Sequence, residues 1–163
     1  MKISEQLRQA STQSADAAGI LFLCGGRVLV LKRAPYLEDP ELWSIPGGVL
    51  RPYERPWSGA RRETIEECGC LPPGLPNPRY RYVWENKESE NVYLTFIVEL
   101  PPEALKSWKI RINEEHTDYL WAAPQDLKEK NVHPGLARVL SDDLFDHPFK
   151  HQNEELDYFV IDN

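Results

Sequence analysis

At 163 residues, with 41% apolar and 28% charged side chains, the chain has the size and composition of a single globular domain. Its formal net charge of -7 argues against a broad nucleic-acid surface, which needs clustered cations. No apolar run reaches the length of a membrane span, and the polar N-terminus lacks the apolar region of a signal peptide, so no membrane partner and a cytoplasmic location are expected.

Residues 1–17 read as a polar arm that could serve a homodimer. The domain proper is expected over 18–140, followed by a tail over 141–163 that alternates acidic and aromatic residues. Residues 20–24 (ILFLC) predict a buried strand, Gly25-Gly26 a two-residue hairpin turn, and 27–33 (RVLVLKR) the returning strand. A loop marked by Pro35 and Pro40 leads to a short strand at 42–45 and then to the turn Pro46-Gly47-Gly48. A helix is expected from Pro56, since proline suits the first turn, to a C-terminal cap at Gly69. Four prolines between Leu71 and Pro78 demand a loop. Aromatic and β-branched runs at 79–84 and 91–100 predict two strands, with a polar hairpin tip between them. After a connector over 101–113 come a strand at 116–123, a helix region from Pro124, and a restart at His133-Pro134-Gly135. About six strands and two or three helices imply an α/β fold with a central mixed sheet.

Cys24, Cys68 and Cys70 lack disulfide or C-x-x-C spacing and read as reduced thiols. The four histidines show no zinc-ligand spacing. The helix carries the informative pattern. Glu63, Glu66 and Glu67 are spaced i, i+3, i+4 and share one face. Like charges so placed repel by roughly 0.2–0.5 kcal/mol per pair. A hard divalent cation, which prefers oxygen ligands, would reverse that penalty. Gly59 falls on the same face, while Trp57, Ala60, Thr64 and Cys68 fall on another, suited to packing.

The stretch from Pro46 to Cys70 resembles the signature of the Nudix hydrolases. The pattern is glycine, five residues, glutamate, seven residues, Arg-Glu, an apolar residue, any residue, Glu-Glu, any residue, glycine, apolar. It reads here as Gly48, Glu54, Arg62-Glu63, Thr64, Glu66-Glu67, Gly69 and Cys70. Thr64 and Cys70 stand at the two apolar positions, a mild departure. The resemblance covers about 18–140 and implies an α/β/α sandwich. It also implies hydrolysis of a phosphoanhydride bond in a nucleoside diphosphate derivative, dependent on Mg2+ or alternatively Mn2+. Divalent cations suit this chemistry because they neutralise the phosphates and lower the pKa of a bound water.

By the same resemblance, Glu63, Glu66, Glu67 and the Gly47 carbonyl are metal ligands, with Glu63 an alternative general base. Arg62 orients a carboxylate, and Gly48 and Glu54 brace the ligands. A further glutamate from a distant loop is expected, either Glu114 or Glu115, with Glu115 ahead. Arg33 is a candidate phosphate contact, and Trp43, Tyr36, Tyr82 and Trp84 are candidate surfaces for a base, although packing is the stronger reading for Trp43, Tyr82 and Trp84. The substrate is expected to be a small nucleotide, a nucleoside triphosphate first. A nucleotide-sugar (GDP-mannose-like) hydrolase is the alternative, suggested by E-E-H-T-D-Y-L-W; an intact signature favours attack at phosphorus. An isopentenyl diphosphate isomerase ranks lower because Cys24 lacks the surroundings of its catalytic cysteine, and a ligand-binding regulator that has lost catalysis ranks lower because no signature glutamate is missing.

Overall fold

The computed structural model describes residues 15–78, 80–85 and 90–141. The expected N-terminal arm (except residues 15–17), most of the hairpin tip and the C-terminal tail lie outside them.

Strand β1 (Ala17–Cys24) turns through Gly25 and Gly26, at φ 57° and 76°, into β2 (Arg27–Arg33). Two successive positive φ angles are the requirement of a type I′ hairpin, which only glycine meets without strain. Then follow β3 (Trp43–Ser44), β4 (Gly47–Val49), helix α1 (Pro56–Cys68), β5 (Tyr80–Glu85) and β6 (Val92–Glu99). A one-turn helix α2 (Ala104–Ser107), β7 (His116–Ala122), a short α3 (Pro124–Leu127) and α4 (Pro134–Ser141) complete the order.

The sheet runs β3-β2-β1-β6-β5, with β4 also paired to β1 and β7 to β2. It is mixed, because β1 and β6 run parallel from Ala17 opposite Tyr93 to Leu23 opposite Glu99, while the other pairs are antiparallel. Alternation along β1 sorts side chains between two layers. Ile20 and Phe22 join Trp57 and Ala60 of α1 on one face. Leu21 joins Leu127, Leu136 and Val139 of α3 and α4 on the other. Each face is thus covered by helix, giving the expected α/β/α sandwich.

Two expectations are corrected. The described residues hold seven strands, because Gly47–Val49 is not a bare turn: it pairs with Ala17–Gly19 and so is pinned to the sheet. The 101–113 connector contains a turn of helix, closed by Trp108 N–H to Ala104 O at 3.0 Å. Helix α1 has the expected bounds. Pro56 occupies its first turn, and Gly69, at φ 86°, ends it by donating its N–H to Ile65 O.

Candidate active site

Helix α1 lies against β4 and β1, so its glutamates face the Gly47-Gly48 stretch across a gap too narrow for side chains. A methyl group on Gly48 would stand 2.7 Å from Glu63 Cδ. One on Gly47 would stand 2.7 Å from Ala18 O and 2.5 Å from the Tyr93 hydroxyl. Gly48 is there because a carboxylate of the helix passes directly over it, and Gly47 because Tyr93 and the β1 backbone close in on it. Thr64, at an apolar position of the signature, is fully buried and returns its hydroxyl to Ala60 O at 2.8 Å, so it behaves as a satisfied core residue.

Arg62 organises the acidic face. Its Nε and one terminal nitrogen grip Glu54 at 2.7 and 2.9 Å in a two-point fork. The other terminal nitrogen reaches Glu63 at 3.0 Å and Glu66 at 3.2 Å. Arg62's hydrogen bonds hold the Glu54 carboxyl down to about 2, and the same bonds raise Arg62 itself. Glu54 is therefore an anion locked to one cation, and Arg62 has further donors with which to orient Glu63 and Glu66. Burial pushes the Glu63 carboxyl up, against the pull of Arg62. Glu66 is exposed, with Arg51 3.6 Å away.

Glu67 has a different environment. It is 4% exposed, and Oε1 accepts the Gly47 N–H at 2.9 Å. Its Oε2 lies 3.2 Å from Nε2 of His116, itself 8% exposed. Burial pushes Glu67 up to about 9, opposed by the Gly47 N–H, and pushes His116 down to about 4, aided by the nearby charge of Arg33. The hydrogen bonds agree with a neutral pair. Glu115 N–H donates to Asn113 Oδ1 at 3.2 Å, so Asn113 presents its oxygen here. His116 Nδ1, 3.3 Å from that oxygen, must then carry the ring proton. In the neutral pair that burial favours, Nε2 has a lone pair and the Glu67 carboxyl is the donor to it.

Ligand atoms of Glu67, Glu115 and His116 all lie within 4.8 Å of one another, although Glu115 is 48 residues from Glu67 in the chain. This donor set fits a divalent cation. A buried carboxyl kept protonated by desolvation would gain the compensating charge that it lacks, and hard carboxylate oxygens stand on both sides. Glu115 rather than Glu114 enters the cluster. The Glu114 carbonyl accepts the Tyr36 hydroxyl, and the Glu115 carbonyl accepts Ala34 N–H at 2.8 Å, so the segment is tied to the loop after β2.

Arg33 ends β2 at a bulge opposite His116, and its Nε donates to Glu38 O at 2.8 Å. Two candidate base surfaces are corrected. Trp43 is 8% exposed and Tyr82 2%, both packed in the core layer under α3 and α4. Neither ring offers a face to a ligand. Tyr36 is exposed, but its hydroxyl is committed to the Glu114 loop. His116, Asn113 and Tyr93 complete the site without having been singled out from sequence. The one available signal for His116 was its position directly after the two candidate acids.

The NUDIX domain family model matches residues 13–143. The nucleoside triphosphatase NudI of Escherichia fergusonii is 28% identical over 109 residues, covering 63% of this chain and 76% of that protein. A MutT-like protein of Streptomyces ambofaciens is 29% identical over 127 residues, covering 78% and 75%. Among solved structures, a C. elegans Ap4A hydrolase in a binary complex superposes with a TM-score of 0.66 at 20% identity, covering 82% of this chain and 99% of that one. A MutT protein from Methanosarcina mazei gives 0.62, also at 20% identity, covering 82% and 94%. Such a sandwich, with this signature on its helix, is that of a hydrolase acting on pyrophosphate bonds. The chain belongs to the Nudix family. Nudix enzymes use divalent metals, and the acidic group around Glu67 could hold one.

Proposed function

We propose that this enzyme hydrolyses a pyrophosphate bond of a nucleoside triphosphate, with Mg2+ or Mn2+ held by Glu63, Glu66, Glu67, Glu115 and the Gly47 carbonyl. The observation that carries the reading is the convergence of buried Glu67 with Glu115 and His116 beside the Arg62-oriented Glu63. The triphosphatase activity named for the Escherichia relative supports the triphosphate as substrate.

When bound, the cation supplies charge neutralisation and a more acidic water. The chain's own residues do the rest. Arg62, braced by Glu54, fixes the Glu63 and Glu66 carboxylates. The Gly47 N–H fixes Glu67. Glu115 closes the site from the β7 side, and Arg33 stands where it can meet a phosphate. Water's oxygen attacks phosphorus, its proton passes to an ionised carboxylate of this cluster, and the bridging P–O bond breaks with its electron pair leaving on the departing phosphate.

The test is a substrate panel with coupled phosphate detection: nucleoside triphosphates, ADP-ribose, GDP-mannose and diadenosine polyphosphates, each with Mg2+, with Mn2+ and with chelator. Triphosphates should turn over fastest, only with metal, and Glu67→Gln should abolish the reaction. Preferential turnover of GDP-mannose, or metal-independent turnover, would overturn the reading.

A further inference from the structure

A cavity of about 800 Å3 meets the acidic face at Glu54, the partner of Arg62. Small-molecule sites span roughly 300–1,000 Å3, so its size suits a nucleoside. Tyr53, Arg51, Glu54, Trp84, Tyr93 and His133 contribute to its walls. The His133 ring lies 5.5 Å from Trp84, edge-on, and 5.8 Å from Tyr93. His133 Nδ1 accepts the Gly135 N–H at 3.0 Å, so in the neutral ring Nε2 carries the proton and is a donor for the acceptor atoms of a base edge.

Tyr53 is the anomaly of this cavity. Glu54 N–H closes a turn onto Arg51 O at 3.0 Å, with Pro52 and Tyr53 as its central residues. Proline at the first centre and φ 64° at the second define a type II turn, whose second centre is ordinarily glycine. A tyrosine there is strained. The other described non-glycine residues at positive φ are Asp39, Glu41 and Glu90, which carry no ring. The Tyr53 side chain is also fully exposed, and no hydrogen bond among the described residues engages it. Neither backbone geometry nor packing in the free protein accounts for it. An exposed ring presented at the cavity wall by a strained backbone is suited to a ligand with a flat face.

The cavity and the carboxylates share walls. Glu54 lines the cavity and grips Arg62, and Tyr93 lines it with its hydroxyl against Gly47, whose N–H holds Glu67. A ligand with an aromatic group in the cavity would carry its phosphates to the acidic helix face.

We propose that Tyr53 is a binding residue that stacks on the nucleobase, and that the cavity behind it receives that base. The inference rests on the reading of the substrate as a nucleotide, and its test reads binding instead of turnover. Nucleoside monophosphates with each of the four RNA bases, and ribose 5-phosphate as the base-free control, are titrated by NMR into wild type, Tyr53→Gly and Tyr53→Phe. Wild type should bind at least one nucleotide, and Tyr53→Phe should match it within about twofold, because the ring is kept. Tyr53→Gly should bind that nucleotide about 5- to 100-fold more weakly, the loss of one stacked ring, while its Tm rises as the turn relaxes. Ribose 5-phosphate should not distinguish the three proteins. Nucleotide binding unchanged in Tyr53→Gly, equal loss of ribose 5-phosphate, or no nucleotide bound by wild type would each overturn the proposal. Absence of hydrolysis would count against the proposed activity alone.

Discussion

His116 Nε2 and Glu67 Oε2 stand 3.2 Å apart between the start of β7 and the end of α1, and burial pushes both groups toward their neutral forms. The contact stitches the two halves of the site together in the metal-free protein. As a proposed ligand, Glu67 must lose its proton before it can bind a cation.

Metal affinity should therefore depend on pH. With Glu67 raised to about 9, the apparent Kd for Mn2+ should fall as pH rises from 6 to 9, by up to about tenfold per unit. Titration monitored by electron paramagnetic resonance at several pH values checks this. A flat profile would remove Glu67 from the ligand set or ionise it in the free protein.

The stability of the metal-free protein should follow the same groups. Glu67, raised from 4.5 to about 9, contributes stability that is lost as pH rises through that range. His116, lowered from 6.5 to about 4, contributes stability lost as pH falls through its own. Between about pH 4.5 and 6.5 the two slopes cancel. Below that, Glu54, lowered to about 2, adds a further acid loss. Melts in chelator should peak between about pH 4.5 and 6.5 and decline toward pH 9, and Mn2+ should reverse the alkaline decline.

Glu67→Gln should separate function from folding. The amide oxygen can still accept the Gly47 N–H, and the amide nitrogen can donate to His116 Nε2. Activity should drop by more than about 100-fold, while Tm in chelator at pH 8 should stay level or rise. A large fall in Tm would mean that the neutral pair is misassigned.

Arg62→Lys tests the fork. Lysine has no planar pair of donors, so it cannot hold both Glu54 oxygens and still reach Glu63. A loss of about 1–3 kcal/mol in stability and of about 10- to 100-fold in kcat is expected. Urea denaturation and steady-state kinetics read the two effects separately.

The two glycines should respond differently to alanine. At Gly48 the new methyl group meets only the Glu63 carboxyl, the movable end of a side chain, at 2.7 Å. Gly48→Ala should fold, with a stability change within about 1 kcal/mol, and lose about tenfold or more in activity as Glu63 is displaced. At Gly47 the methyl group meets backbone of Ala18 and Gly19 at 2.7 and 2.6 Å, which cannot yield cheaply. Gly47→Ala should cost about 1–3 kcal/mol or more of stability.

The spacing from Gly48 to Gly69 sufficed for the helix, its caps and the shared face of three glutamates, because helical period and terminal residue chemistry are local. The continuous apolar run at 20–24 likewise foretold a buried strand. What escaped was decided by distant chain. The choice of Glu115 over Glu114 depends on loop ties from Tyr36 and Ala34. His116 gains its meaning from a partner 49 positions earlier. Trp43 and Tyr82 favoured packing in sequence, and the helices beyond Pro124 that cover them remove the alternative of stacking. Gly47–Val49 became a strand only because β1 offers it an edge.

The parallel pairing of β1 with β6 bears on how the molecule is made. Strand β1 emerges first, yet its partner along nearly its whole length is β6, and Val92 N–H meets the Asp16 carboxylate across 76 positions. Parallel strands so far apart must close a long loop before any contact rewards them, so this step should be slow compared with the β1–β2 hairpin. Helix α1 rests on β1 and lies within that loop. During synthesis its cluster of like-charged glutamates is translated before the strand that completes its support, and His116 follows later still. The acidic helix can rest on β1 and β4, which precede it, but β6 and the His116 partner of Glu67 arrive only later, which makes completion of the acidic cluster one of the last events of folding.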